Sequence, residues 1–104
     1  MATLRGILTL VLMGLNLLFW IIPLYVVALL RLMPVQRMRI ACAQLLVHIA
    51  QTWIAGNNLI FRVTQDIRWD IEGVAALPAR DWYLVVCNHQ SWVDILVLQG
   101  VFNR

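Results

Sequence analysis

Trp82-Tyr83-Leu84-Val85-Val86-Cys87-Asn88-His89-Gln90-Ser91-Trp92-Val93-Asp94 is the stretch on which the fold class turns. Its first half, Trp82 to Cys87, is a run of apolar and aromatic residues that reads as a buried strand. The apolar stretch from Trp92 to Phe102 then reads as a helix. His89 falls at the strand-to-helix turn, with Asp94 in the first helical turn. Such turns often carry chemistry in α/β proteins, because the turn is exposed while the elements that hold it are rigid.

A neutral imidazole takes a proton from a hydroxyl near neutral pH. A carboxylate bonded to its other ring nitrogen fixes the tautomer and stabilises the imidazolium as it forms, and Asp94 is placed to do this for His89. A structural reading stands beside the chemical one. Ser91-Trp92-Val93-Asp94 fits the Ser-x-x-acid capping box, in which Ser91 caps the helix and Asp94 reaches back to free backbone donors at the positive end of the helix dipole. The two are compatible, since a capping carboxylate is also a rigid one.

Asn88-His89-Gln90-Ser91-Trp92-Val93-Asp94 resembles the Asn-His-x-Ser-x-x-Asp signature of the glycerolipid acyltransferases, the 1-acylglycerol-3-phosphate (lysophosphatidic acid) acyltransferase family. The lead-in Trp69-Asp70-Ile71-Glu72-Gly73, Leu77-Pro78 and then Trp82 to Cys87 is similar to that family's approach to its motif. The likeness covers most of the chain and is strongest over residues 67–98. It implies that His89 and Asp94 are catalytic, while Asn88 and Ser91 shape the turn. The family's Glu-Gly-Ser/Thr-Arg block, which handles the substrate phosphate, is not in this sequence. The resemblance therefore implies an N-terminal piece of a longer acyltransferase.

The chain has 104 residues, 62% hydrophobic and 12% charged, with a mean hydropathy of +0.82. Soluble domains carry about 25% charged residues, so this is the composition of a membrane protein. The net charge is +3 and all eight basic residues are Arg. They are scattered, which argues against nucleic acid as a partner. Cys42 and Cys87 show no framework spacing and read as reduced, buried, small apolar residues, and no metal site is expected from Cys42, His48, Cys87 and His89.

Residues 1–62 read as a membrane-associated two-helix region. Gly6 to Leu30 carries no charge and is roughly 37 Å long as a helix, enough to cross a ~30 Å hydrocarbon core. The expectation is a transmembrane or membrane-embedded helix over 6–33, kinked at Pro23 and stopped by Pro34. Arg31, Arg37 and Arg39 follow it, so its downstream side is expected in the cytoplasm. They are also candidate contacts for anionic headgroups.

An amphipathic helix is expected over 40–60. Gln44, His48, Gln51, Ala55, Asn58 and Arg62 form its polar stripe, with Cys42, Leu46, Ile49 and Trp53 opposite and Gly56-Asn57-Asn58 at a fraying end. His48 is an ordinary member of that stripe.

Residues 63–104 read as the start of an α/β domain. Ile67, Trp69 and Ile71 alternate with charged residues as a half-exposed strand, and a loop over 73–81 leads into Trp82–Cys87. This section is close to the ~40-residue limit for unaided folding, and its helix is apolar on nearly every side, so the domain is expected to be cut part-way.

The expected fold is thus α+β and membrane-associated: a helix pair, then the first strands and helix of an incomplete acyltransferase domain. The expected activity moves a fatty acyl group from acyl-CoA or acyl-ACP to the free hydroxyl of a lysophospholipid, most simply 1-acylglycerol-3-phosphate, and needs no bound cofactor. The expected place is the bacterial inner (cytoplasmic) membrane, with the catalytic region facing the cytoplasm. The alternatives are a different acceptor, or a non-catalytic membrane protein in which Asp94 only caps a helix.

Overall fold

A computed structural model describes residues 1–103 of the chain. It contains three α-helices, α1 (Ala2–Leu30), α2 (Gln36–Thr64) and α3 (Val93–Phe102), and one short 3₁₀ turn, Val74–Ala76. No strand is present among the described residues. The expectation of an α+β fold is overturned.

The physical reason is that a strand exists only through a ladder with a neighbour. Neither the segment after α2 nor Trp82–Cys87 forms a ladder with another segment among the described residues, and the helices use their own backbone groups internally. The alternation of the apolar run persists without a sheet. Trp82, Leu84 and Val86 are 100%, 92% and 84% exposed, against 43% for Tyr83 and 46% for Val85. Cys87 is consequently exposed, not buried as its place in the run implied, whereas Cys42 is buried in the helix pair.

Helices α1 and α2 form an antiparallel hairpin joined by residues 31–35, where Pro34 lies. Pro23 is inside α1, which runs through it as one element. The α1 residues facing α2 recur at helical spacing: Thr9, Asn16, Trp20 and Val27. They meet a matching row on α2, in which Cys42, Ile49, Asn57 and Thr64 are the buried positions. Spacings near seven keep one seam facing the partner, as in coiled coils. The seam is mixed in character. Val27, Cys42 and Ile49, with Trp20 and Leu46 against them, fill the loop end, and polar pairs hold the rest.

The expected fraying end at Gly56-Asn57-Asn58 is instead the middle of a crossing. A Cβ on Gly56 would lie 2.8 Å from the Asn16 Oδ1, so glycine there lets the Asn16 amide come close. That amide donates to the Trp53 carbonyl at 3.1 Å and to Asn57 Oδ1 at 2.9 Å. Nearer the open end, Thr9 and Thr64 hydroxyls lie 2.8 Å apart, and Gln65 Nε2 donates to Thr9 at 2.7 Å. With Thr64 buried in the seam, α2 runs past its expected end at residue 60 and across the expected domain boundary after residue 62.

Almost all of α1 away from this seam is exposed and apolar, including Leu10, Leu18, Phe19 and Ile22. A surface of that kind is unfavourable in water and natural in lipid. α1 is the one described helix long and apolar enough to cross a membrane. Helix α3 lies against the second half of α2: Asn103 Nδ2 donates to the Gln51 carbonyl at 3.0 Å, and Gly100 abuts Asn58. No residue of α3 is fully buried.

Replacing Asn16 with Leu removes the donor to Trp53 and Asn57 and leaves a buried amide oxygen unsatisfied. The expected cost is about 1–2 kcal/mol of hairpin stability, read by denaturant unfolding in detergent micelles. Leu10→Ala, on the exposed face, should change it by under about 0.5 kcal/mol.

Candidate functional site

The His89–Asp94 pair sits at the N-terminal end of α3. The turn before the helix is closed by side chains that accept from main-chain N–H groups. Ser91 Oγ accepts from Val93 N–H at 3.0 Å. Asp94 Oδ2 accepts from Gln90 N–H at 2.6 Å and from Ser91 N–H at 2.9 Å. The carboxylate thus reaches back as a capping box requires. The Ser91 hydroxyl serves the first N–H of the helix, while the main-chain carbonyl of Ser91 accepts from Asp94 N–H at 3.1 Å.

The same Oδ2 lies 3.4 Å from His89 Nδ1. The capping bonds and the contact with His89 therefore share a single oxygen. At 3.4 Å the pair is an ion-pair contact when the imidazole is protonated, and it is longer than an ordinary N–H···O hydrogen bond. Catalytic hydrogen bonds are often long before substrate binds. The His89 side chain is 53% exposed and that of Asp94 34%. Nε2 of His89 has no hydrogen-bond partner among the described residues.

The Ser91 N–H holds the Asp94 carboxyl below the usual carboxylate range, followed by the Gln90 N–H. Desolvation opposes them, and the His89 charge and hydrogen bond add to the lowering. Asp94 is then an anion throughout the range in which an imidazole titrates, which is what an orienting carboxylate needs.

Asn88, on the other side of His89, is exposed and makes no hydrogen bond among the described residues. Arg31, Arg37 and Arg39 are not brought to this pair. They lie at the loop end of the hairpin, whereas the first turns of α3 line a crevice with Asn58 and Phe61. At ~1.5 Å per residue along α2 the separation is about 30 Å. The antiparallel return of α2, which linear sequence does not display, is the cause.

Two arginines that sequence reasoning did not single out as a pair lie at the open end instead: Arg5 and Arg62 line one groove there. The signal was available, since they bound the two charge-free runs at the same end. Arg62 also borders a cavity of about 190 Å³ behind α3, walled by Ile67, Trp69, Ile71 and Val101. Ile67, Trp69 and Ile71 are the alternating residues expected to form a strand face. They do face one side, against α2 and α3 rather than in a sheet. Among the described residues no group of three or more His, Cys, Asp or Glu side chains is arranged to hold a metal ion.

Comparison with protein-family models, with curated proteins and with solved structures finds no match to the chain.

Because the Asp94 carboxyl ionises below free aspartate, its hold on the turn is complete above the ordinary carboxylate range and is lost as pH falls through its lowered value. In an NMR titration between about pH 5 and pH 2, the Gln90 and Ser91 amide shifts should follow the Asp94 carboxyl carbon, with a midpoint below that of free aspartate. In His89→Ala the midpoint should stay below it, because the two N–H groups are the larger cause.

Proposed function

We propose that the chain carries the His–Asp centre of an acyltransferase that works on a membrane lipid. The observation that carries this reading is the Asp94 carboxylate, held by two main-chain N–H groups and in contact with His89 Nδ1, while Nε2 is free. The resemblance of Asn88 to Asp94 to the glycerolipid acyltransferase signature supports it, as does the apolar α1.

In this reading His89 Nε2 takes the proton of the acceptor hydroxyl as that oxygen attacks the carbonyl carbon of the acyl thioester. Asp94 holds the imidazole in the tautomer with Nδ1 protonated and stabilises the imidazolium. The tetrahedral intermediate collapses with cleavage of the carbon–sulfur bond. The imidazolium returns the proton to the departing thiolate, which leaves as the free thiol of coenzyme A or acyl carrier protein. The acceptor is a lysophospholipid, 1-acylglycerol-3-phosphate being the simplest, and no acyl-enzyme intermediate is required.

The orientation proposed puts His89 on the cytoplasmic side of the bacterial inner membrane, where acyl thioesters are found. The loop-end Arg31, Arg37 and Arg39 favour the same side. Both ends of an antiparallel hairpin face one compartment only if it lies along the membrane surface. The exposed stripe of Gln44, His48, Gln51 and Arg62 on α2 supports such a placement, with α1 submerged.

In membranes containing the active enzyme, His89→Ala should lower acyl transfer by at least about a thousandfold with membrane attachment kept, and Asp94→Asn by a comparable amount. If Asp94 is a helix cap only, Asp94→Asn instead lowers stability and leaves turnover per folded molecule intact. For orientation, a single cysteine introduced at Met33 or at Thr3, after replacing Cys42 and Cys87, should react with an impermeant maleimide from the cytoplasmic face in both cases. Labelling of the two from opposite faces would show a hairpin that crosses.

A further inference from the structure

The groove at the open end of the hairpin is lined by Arg5, Leu8 and Leu12 from α1, and by Arg62, Val63, Thr64, Gln65 and Asp66 from the end of α2 and the segment after it; its volume is about 490 Å³. Its chemistry is divided. Leu8 and Val63 are exposed apolar side chains that continue the lipid-facing surface of α1. The polar floor is satisfied within the protein: Thr64 donates to the Ile60 carbonyl at 2.7 Å, Gln65 donates to Thr9, and the Thr9 hydroxyl is shared between Thr64 and the Arg5 carbonyl.

The guanidinium groups of Arg5 and Arg62 are different. Both are exposed, and neither has a hydrogen bond or ion pair among the described residues. Asp66 borders the same groove but forms no ion pair with either arginine. Both arginines line one groove at the end of the hairpin where the charge-free run of α1 begins and that of α2 ends; with α1 submerged, long cationic side chains at that boundary extend to the phosphate layer.

We infer that Arg5 and Arg62 form a binding site for the phosphate of an anionic phospholipid, whose acyl chains lie along Leu8, Leu12 and Val63. Arginine matches a phosphate bidentately and stays charged at this boundary. The occupant is a bilayer lipid and not a free phosphate, because the apolar part of the lining is continuous with the membrane face. This site stands independently of acyl transfer. It also locates headgroup recognition at the open end, about 35 Å along α2 from Arg37 and Arg39.

The test is native mass spectrometry of the full chain released from detergent, with dioctanoyl phosphatidylglycerol, dioctanoyl phosphatidylcholine and inorganic phosphate as probes. One phosphatidylglycerol per chain should bind, at least about tenfold more tightly than phosphatidylcholine. Arg5→Gln and Arg62→Gln should each weaken it about fivefold, and the double variant should abolish the preference. Arg5→Lys with Arg62→Lys should keep most of it, which separates lost charge from lost folding. Arg37→Gln with Arg39→Gln should leave it unchanged. Equal binding of the two lipids, an unaltered preference in the double Gln variant, a loss of equal size in the Arg37/Arg39 variant, or displacement of the lipid by equimolar phosphate would each overturn the proposal.

Discussion

The Asn16 amide, held between the Trp53 carbonyl and Asn57 across the seam, fixes the register of α1 on α2. Buried amides outside a helix ladder need a partner wherever the surroundings are dry, and one here is reached only if Gly56 is opposite. Sliding either helix by one turn would separate Asn16 from Asn57 and Thr9 from Thr64 together. The buried contacts at the loop end, Val27 with Cys42 and Ile49, are non-directional and tolerate such a slip better than paired amides and hydroxyls do. Polar pairs therefore select the register and apolar packing follows it.

From that register comes the position of everything downstream. α2 returns to the level at which α1 starts, so α3 and the turn before it are carried to the end of the hairpin where Arg5 lies. Asn58 on α2 accommodates Gly100 on α3, and the Gln51 carbonyl receives Asn103, which docks the short helix by its second half. Val93, Leu96 and Val97 line a crevice with Asn58 and Phe61, and the exposed side of the first turn presents Asp94 and His89. The hairpin thereby combines the one described helix long and apolar enough to cross a membrane with the platform for the His89–Asp94 contact.

The pair itself combines two demands on one atom. Oδ2 of Asp94 satisfies two main-chain donors that would otherwise be unpaired ahead of a helix, and the same oxygen faces His89. The arrangement needs no additional scaffold, because local main-chain geometry holds the carboxylate. It also explains how an exposed pair, on a helix with no fully buried residue, keeps a defined geometry.

Much of this was legible in the residues. The charge-free run from Gly6 to Leu30 marked a long apolar helix, and the recurrence of polar groups every three or four residues on α2 marked the face that stays outside. The Ser91–Asp94 spacing determined the turn, because its bonds span only a few residues. What the linear chain did not contain was pairing. Whether Trp82–Cys87 becomes a strand depends on a neighbour to complete its hydrogen bonds, and no described segment forms a ladder with it. Whether Gly56-Asn57-Asn58 ends a helix or builds a crossing depends on what faces it, and Asn16 does. The grouping of Arg5 with Arg62, and the distance of Arg31, Arg37 and Arg39 from His89, follow from the antiparallel return of α2. Short-range hydrogen bonding and hydropathy act within a few residues or along a single helix, whereas these placements rest on contacts between residues forty or more positions apart, which only the tertiary structure decides.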